Sequence, residues 1–307
     1  MGFNDTATLK NSMNVAVLSF LMLLVSAKGR ITINDEDLLE FPLNLEYLEA
    51  DFFLIGASGH GLDSVAPQLA DGGPSPVGGR LANLGFLVRD IILQFGLQEV
   101  GHLRYCRAIK STVKGFPRPL LNLSREAFGE VMNNAFGRRL YPPFDPYANE
   151  INYLLASYVI PYVGLTGYVG ANPQLQNFAS KALVAGLLGV ESGQDAVIRS
   201  LLYERRGETV APYGVSVAEF TNRISALRDK LGKEGLKDEG LIVPRNLGAE
   251  GRISGNVLAG DKNSPAYGRT PREVLRIVYG GGDERYPGGF YPRGADGRIA
   301  KSYRANN

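Results

Sequence analysis

The chain has one cysteine, Cys106, two histidines, His60 and His102, and no tryptophan. A single thiol excludes an internal disulfide framework, so stability must come from a packed core, which 307 residues with 44% hydrophobic side chains can supply. Two histidines exclude a multi-histidine zinc site. Neither sign of charge is in excess: 33 basic against 31 acidic residues leave +2, so no whole-chain field recruits nucleic acid or an anionic membrane. Beyond the N-terminal segment, no run has the length and unbroken apolarity of a membrane helix, and no membrane span is expected. Gly-x-Gly fragments such as Gly59-His60-Gly61 succeed no strand pattern, which excludes a nucleotide-binding loop and leaves no organic cofactor signalled.

The first positive signal is a targeting pattern. Lys10 precedes an apolar run at 15–25, too short to span a bilayer, and Val25-Ser26-Ala27 places small residues at a cleavage position. The expectation is a signal peptide over 1–27 and a secreted, extracellular mature protein from about residue 28. Asn122-Leu123-Ser124 is an acceptor triplet for N-glycosylation.

Helical periodicity dominates the mature chain. Asn34-Asp35-Glu36-Asp37 predicts a capped helix start. Leu38, Phe41, Leu45, Leu48, Phe52 and Ile55 then recur at steps of three and four, an amphipathic pattern with one apolar seam and a kink or restart at Pro42. Glu46 and Glu49 flank that seam, and the pattern turns one of them inward. A Gly/Pro-rich connection over 56–79 reads as a lid or a packed loop. The second helix is expected over 81–110, the third over 147–170 with a break at Pro161, and the fourth over 175–205. Between the second and third lies a long crossover with a short helix starting at Ser124. Beyond residue 206 come an amphipathic stretch at 215–231 and a capping box at Thr270-Pro271-Arg272-Glu273. Gly/Pro/Tyr-rich flanks, with Tyr286, Phe290 and Tyr291, predict partial docking of this extension on the bundle.

The chemistry-bearing stretch is Gln98-Glu99-Val100-Gly101-His102. Glu99 and His102 lie three apart on one helix face within an apolar run, and a buried charge is costly unless paired or bound to metal. The rival reading pairs Glu99 with Arg104 or Arg107 and leaves His102 a satisfied core histidine. Val190-Glu191-Ser192-Gly193-Gln194 on the fourth helix echoes the pattern with an amide in the second place.

Four motifs in order carry a resemblance: Leu45-Glu46-Tyr47-Leu48-Glu49-Ala50-Asp51-Phe52-Phe53, Glu99-x-x-His102, Val163-Gly164-Leu165-Thr166-Gly167-Tyr168, and Val190-Glu191-x-x-Gln194. Together they resemble the ferritin-like domain of plant desiccation-related proteins. The resemblance implies an all-α fold: a ferritin-like four-helix bundle over 28–205 with a long crossover, and an irregular C-terminal extension over 206–307. It implies a di-metal centre of manganese or iron held by Glu46, Glu99, His102, Glu191 and Gln194, with Glu49 as a further carboxylate and Tyr162 shaping the open position. Phe53 stands where many relatives carry a tyrosine. Two departures mark this chain. Gln194 replaces the histidine of a second Glu-x-x-His, and Pro161-Tyr162 stands where a third-helix Glu is expected. Glu150 lies roughly 16 Å away along the helix axis and cannot substitute. The expected activity is that of a secreted antioxidant acting on peroxide or oxygen. Its rival is a non-catalytic extracellular protectant, associated with cell-wall components, with a degenerate site. A homodimer is compatible with either.

Overall fold

The computed structural model describes residues 33–108, 114–237 and 240–305. Residues 1–27, expected to be a signal peptide, and the side chains of Cys106 and Arg107 lie outside the described residues. Residues from Asn34 onward cluster as a single compact unit.

Local chemistry sets the helix starts. The Asn34 side chain accepts from the Asp37 N–H while Asp37 accepts from the Asn34 N–H, a capping box that opens α1 (Asp35–Glu40). Pro42 ends that turn, and α2 (Leu43–Ser58) restarts immediately after it. The amphipathic expectation fails for α2. Every residue from 43 to 54 is buried, because the 59–79 connection and the C-terminal extension cover its outer side. That connection is packed rather than open: it contains a helical turn (Leu62–Val65) and a 3-10 turn (Pro67–Ala70), and bridges Val77 to Asn122.

Helix α3 (Phe86–Ala108) packs along the length of α2. Gly96 permits the approach, since a Cβ there would stand 2.9 Å from the Leu54 side chain and backbone. The crossover carries α4 (Arg125–Phe136), capped by the Ser124 hydroxyl. Helices α5 (Glu150–Val159) and α6 (Pro161–Ala171) form the third rod, broken at Ile160 because the prolyl ring supplies no N–H. The whole stretch 150–174 is long and apolar enough to cross a membrane, contrary to the sequence expectation. Its most apolar window is nevertheless 78% buried inside the protein, which marks a core helix. Helix α7 (Phe178–Glu204) packs against α6 and completes the bundle.

The extension is fastened by specific bonds. A short hairpin, β1 (Thr209–Val210) with β2 (Val215–Ser216), leads into α8 (Val217–Gly232). Helix α9 (Pro271–Val278) starts at the Thr270–Glu273 capping box, and α10 (Arg298–Tyr303) comes after it. The Asn44 amide donates to the Asp296 carbonyl at 2.9 Å and accepts from the Asp296 N–H at 2.7 Å, while the Tyr291 hydroxyl donates to the Asn44 carbonyl at 2.8 Å. Phe290 and Tyr291 are buried as expected, but Tyr286 is 58% exposed and plays no part in the docking.

Candidate metal centre

Three helices bring charged side chains to one point. Glu46 on α2, Glu99 and His102 on α3, and Glu191 on α7 are all buried, with ligand-capable atoms within 4.8 Å of one another. The carboxylates converge on one ring nitrogen: His102 Nδ1 lies 3.0 Å from Glu46 Oε2, 3.1 Å from Glu99 Oε2 and 3.7 Å from Glu191 Oε1. Arg104 is exposed, and the partner of Glu99 is His102 rather than that arginine.

Glu49 completes the set. The expectation that only one of Glu46 and Glu49 faces inward is corrected: both are 1% exposed. Three residues apart on a fully enclosed helix, they share a face. Helix α6 makes room for the second one with Gly164, where a Cβ would stand 3.2 Å from Glu49 Oε1 and 3.6 Å from Glu191 Oε2. Glu49 thus lies beside the cluster, on the helix that also carries Glu46. Glu150 lies elsewhere, its Oε1 accepting from Arg205 at 3.0 Å.

The fourth-helix amide is part of the cluster. Gln194 Nε2 donates to Glu99 Oε1 at 2.5 Å and to Gln98 Oε1 at 3.2 Å. Tyr162 is not. Its hydroxyl donates to the Lys237 carbonyl at 3.1 Å, and its ring faces the Arg228 guanidinium at 5.0 Å. The tyrosine that reaches the cluster is Tyr168, whose hydroxyl donates to Glu46 Oε1 in a very short bond. It lies four residues after Gly164 in the same motif, a spacing that places both on one face. Phe53 is buried against Phe95.

Electrostatics show what the site requires. Burial raises Glu49 and Glu191 well above the ordinary carboxylate range, and the neighbouring carboxylates push them further in the same direction. Burial, with the Glu46 charge, raises Glu99 to about 8. Burial alone would lower His102, but Glu46 and then Glu99 outweigh it and raise the imidazole to about 11. Burial likewise opposes the charge on Glu46, yet His102 holds that carboxyl below its usual value. One imidazolium thus stabilises one carboxylate, and the other three acids have no counter-charge. Glu49 Oε1, both oxygens of Glu191 and Gln194 Oε1 are buried without a hydrogen bond. Unsatisfied buried acceptors from separate elements, aimed at one another, are costly in a metal-free bundle. They suit a hard cation, because nearly all of the donors are oxygens.

Asn122 is half-buried, its side-chain oxygen accepting from the Ser124 N–H at 3.1 Å.

The comparisons with known proteins agree with this geometry. A model of the ferritin-like domain matches residues 34–204. The chain is 60% identical over 269 residues to the ferritin-like catalase Nec2 of Nesocodon mauritianus, covering 88% of this chain and 86% of that one. It is 57% identical over 294 residues to the desiccation-related protein PCC13-62 of Craterostigma plantagineum, covering 93% of each. No solved structure matches the chain.

Proposed function

This chain belongs to the ferritin-like family, with desiccation-related relatives, and on that premise we propose that it is a secreted protein holding two manganese or iron ions in its bundle. Glu46, Glu49, Glu99, Glu191 and His102 would be the ligands, with Gln194 beside them. The supporting observation is the charge balance of the cluster: four buried carboxylates match the four positive charges of two divalent ions when the imidazole is neutral. With Glu49 turned outward, only three would be matched.

Bound there, manganese or iron supplies the one-electron chemistry that oxygen and peroxide require. The chain's own groups do the rest. His102 Nδ1 is held between Glu46 and Glu99 and gives up its proton on loading, as do the raised carboxyls, so loading releases protons and weakens as the pH falls. Tyr168 fixes one oxygen of Glu46, and Gln194 fixes one oxygen of Glu99, orienting donors as outer partners do in metal sites. Apolar neighbours such as Leu45 and Val163 exclude bulk water. The catalase name of one relative supports a peroxide-consuming, stress-protective role outside the cell, and Asn122 would carry a glycan there.

The alternative reading is a non-catalytic extracellular protectant, in contact with cell-wall components or as a homodimer. It is favoured by Gln194, whose Nε2 side donates hydrogen bonds where an imidazole would ligate. Elemental analysis after reconstitution with manganese and iron separates the two. Two ions per chain with peroxide turnover is the expected result; fewer than about one ion per ten chains would remove the metal reading.

A further inference from the structure

Against the carboxylates lies a cavity of about 20 Å³. Glu46, Glu49 and Glu191 form one part of its wall, including the Glu49 oxygen that has no hydrogen bond. Most of the rest is apolar, including Leu45 on α2, Val163 and Gly167 on α6, and Val274 on α9, while the Tyr168 hydroxyl in the wall is committed to Glu46. The one cation in the wall is Arg269, committed to Thr166 Oγ1 at 3.2 Å and Asp229 Oδ1 at 3.3 Å. Arg269 and Val274 belong to the extension, beyond the 34–204 span that matches the ferritin-like domain. Part of the cavity wall is therefore built by a segment outside the family span, beside Leu38, Phe41 and Pro42 from within it.

Three physical facts constrain what can use this space. A water molecule needs ~10–15 Å³ of such volume, so there is room for a molecule of water or peroxide size and none for an organic side chain or a sugar. An ion would lose its hydration along the apolar wall, a cost that an uncharged molecule avoids. A hydroxylic guest reaching the inner end can donate to a buried acceptor oxygen, and dioxygen, which has no proton to donate, is admitted by size and lack of charge alone. We propose that this cavity is the substrate passage of the metal site, and that extension residues 269–274 set its size limit, restricting the substrate to an uncharged oxidant of hydrogen peroxide or dioxygen size. The proposal rests on the metal reading of the cluster.

The passage can be tested without the metal. Methyl NMR of the metal-free protein under oxygen pressure should show paramagnetic relaxation at Leu45, Val163 and Val274 well above that at Leu103 and Val184, which are fully buried and do not line the cavity. Equal relaxation at the two sets would overturn the proposal. With metal loaded, Gly167→Leu, whose side chain would project toward Val274 from a Cβ only 3.5 Å away, should lower hydrogen peroxide turnover about tenfold while metal content stays that of the wild type. Val274→Ala should raise turnover of tert-butyl hydroperoxide relative to hydrogen peroxide. Unchanged turnover in the first variant, or an unchanged ratio in the second, refutes the size limit. A chain that binds no metal refutes the proposed function instead, and the relaxation measurement still decides the passage.

Discussion

Helix α2 carries two buried acidic sites that solve the same problem in opposite ways. Asp51 is fully buried, with Arg118 Nη1 at 3.0 Å and the Leu62 N–H donating at 2.8 Å. Arg118 spends its remaining donors on Asp63, at 2.7 and 2.9 Å, and on the Pro74 carbonyl at 2.9 Å. Asp51 has a counter-charge and hydrogen-bond donors there, although burial still raises its carboxyl above the ordinary value, and the effect is to pin the 59–79 connection onto α2. Earlier on the same helix, Glu46 and Glu49 meet Glu99 and Glu191 with a single imidazole among them. The fold supplies an arginine for one buried acid and a single imidazole for four, which leaves the second cluster able to hold a metal ion.

The sharpest break of this comparison is Glu99→Ala. It removes the carboxylate that contacts both His102 and Gln194, and metal content after reconstitution should fall to background. Glu40→Ala, on α1 and outside the cluster, should leave the metal content at the wild-type level. Elemental analysis of the two variants side by side is the check, and metal retained in Glu99→Ala would end the assignment.

The Asp51 site should respond in stability instead. Arg118→Ala leaves Asp51 buried without its partner and should cost about 3–5 kcal/mol, read as a lower urea midpoint. Protein that remains folded should still load metal, because Arg118 touches none of the five ligands. A small loss of stability would mean that water reaches Asp51 and that its burial is not complete.

Much of this arrangement is legible in the sequence where the signal is local. Asn34, Ser124 and Thr270 announce helix starts because each cap bonds within three residues. Glu99 and His102 are found by spacing alone, and the family resemblance places Glu46 and Glu191. Glu49 is legible only as a further carboxylate, because the amphipathic pattern turns one of Glu46 and Glu49 inward, whereas α2 is buried around its circumference from residue 43 to 54. Tyr162 is misplaced for a related reason. It precedes Tyr168 by six residues, about 240° around the helix beyond a full turn, so only one of them can face Glu46. The Gly164–Tyr168 spacing could have identified the right one. Nothing near Arg118 or Asn44 in the sequence reveals their roles, since their partners lie 67 and 252 residues away.

Tyr168→Phe probes the edge of the unsatisfied site. The hydroxyl orients Glu46 without being a ligand, so its removal should weaken metal affinity about 10–100-fold and leave the metal-free protein folded. Competition with a chelator of known affinity measures the change. An affinity equal to wild type would show that the bond to Glu46 does not position that carboxylate.

The smallest effect carries the sign of the whole comparison. In the metal-free protein burial, with the Glu99 and Glu46 charges, raises the Glu49 carboxyl well above its ordinary range and so favours its neutral form, and Glu49→Gln should change stability by less than about 1 kcal/mol at neutral pH. The pH dependence then discriminates. An acid whose folded pKa is raised imposes a cost that grows as pH climbs above its unfolded value, and Glu49, Glu99 and Glu191 all act in this sense. The stability contributed by His102, raised to about 11, is fully present below its unfolded value of 6.5 and is lost as pH rises, in the same direction. Glu46, held low, loses stability only as pH falls below its unfolded 4.5. Metal-free wild type should therefore melt at lower temperature at about pH 9 than at about pH 6, and Glu49→Gln should flatten that slope while lowering metal occupancy. A slope of the opposite sign in the metal-free protein would mean that a counter-charge within the chain already neutralises the cluster.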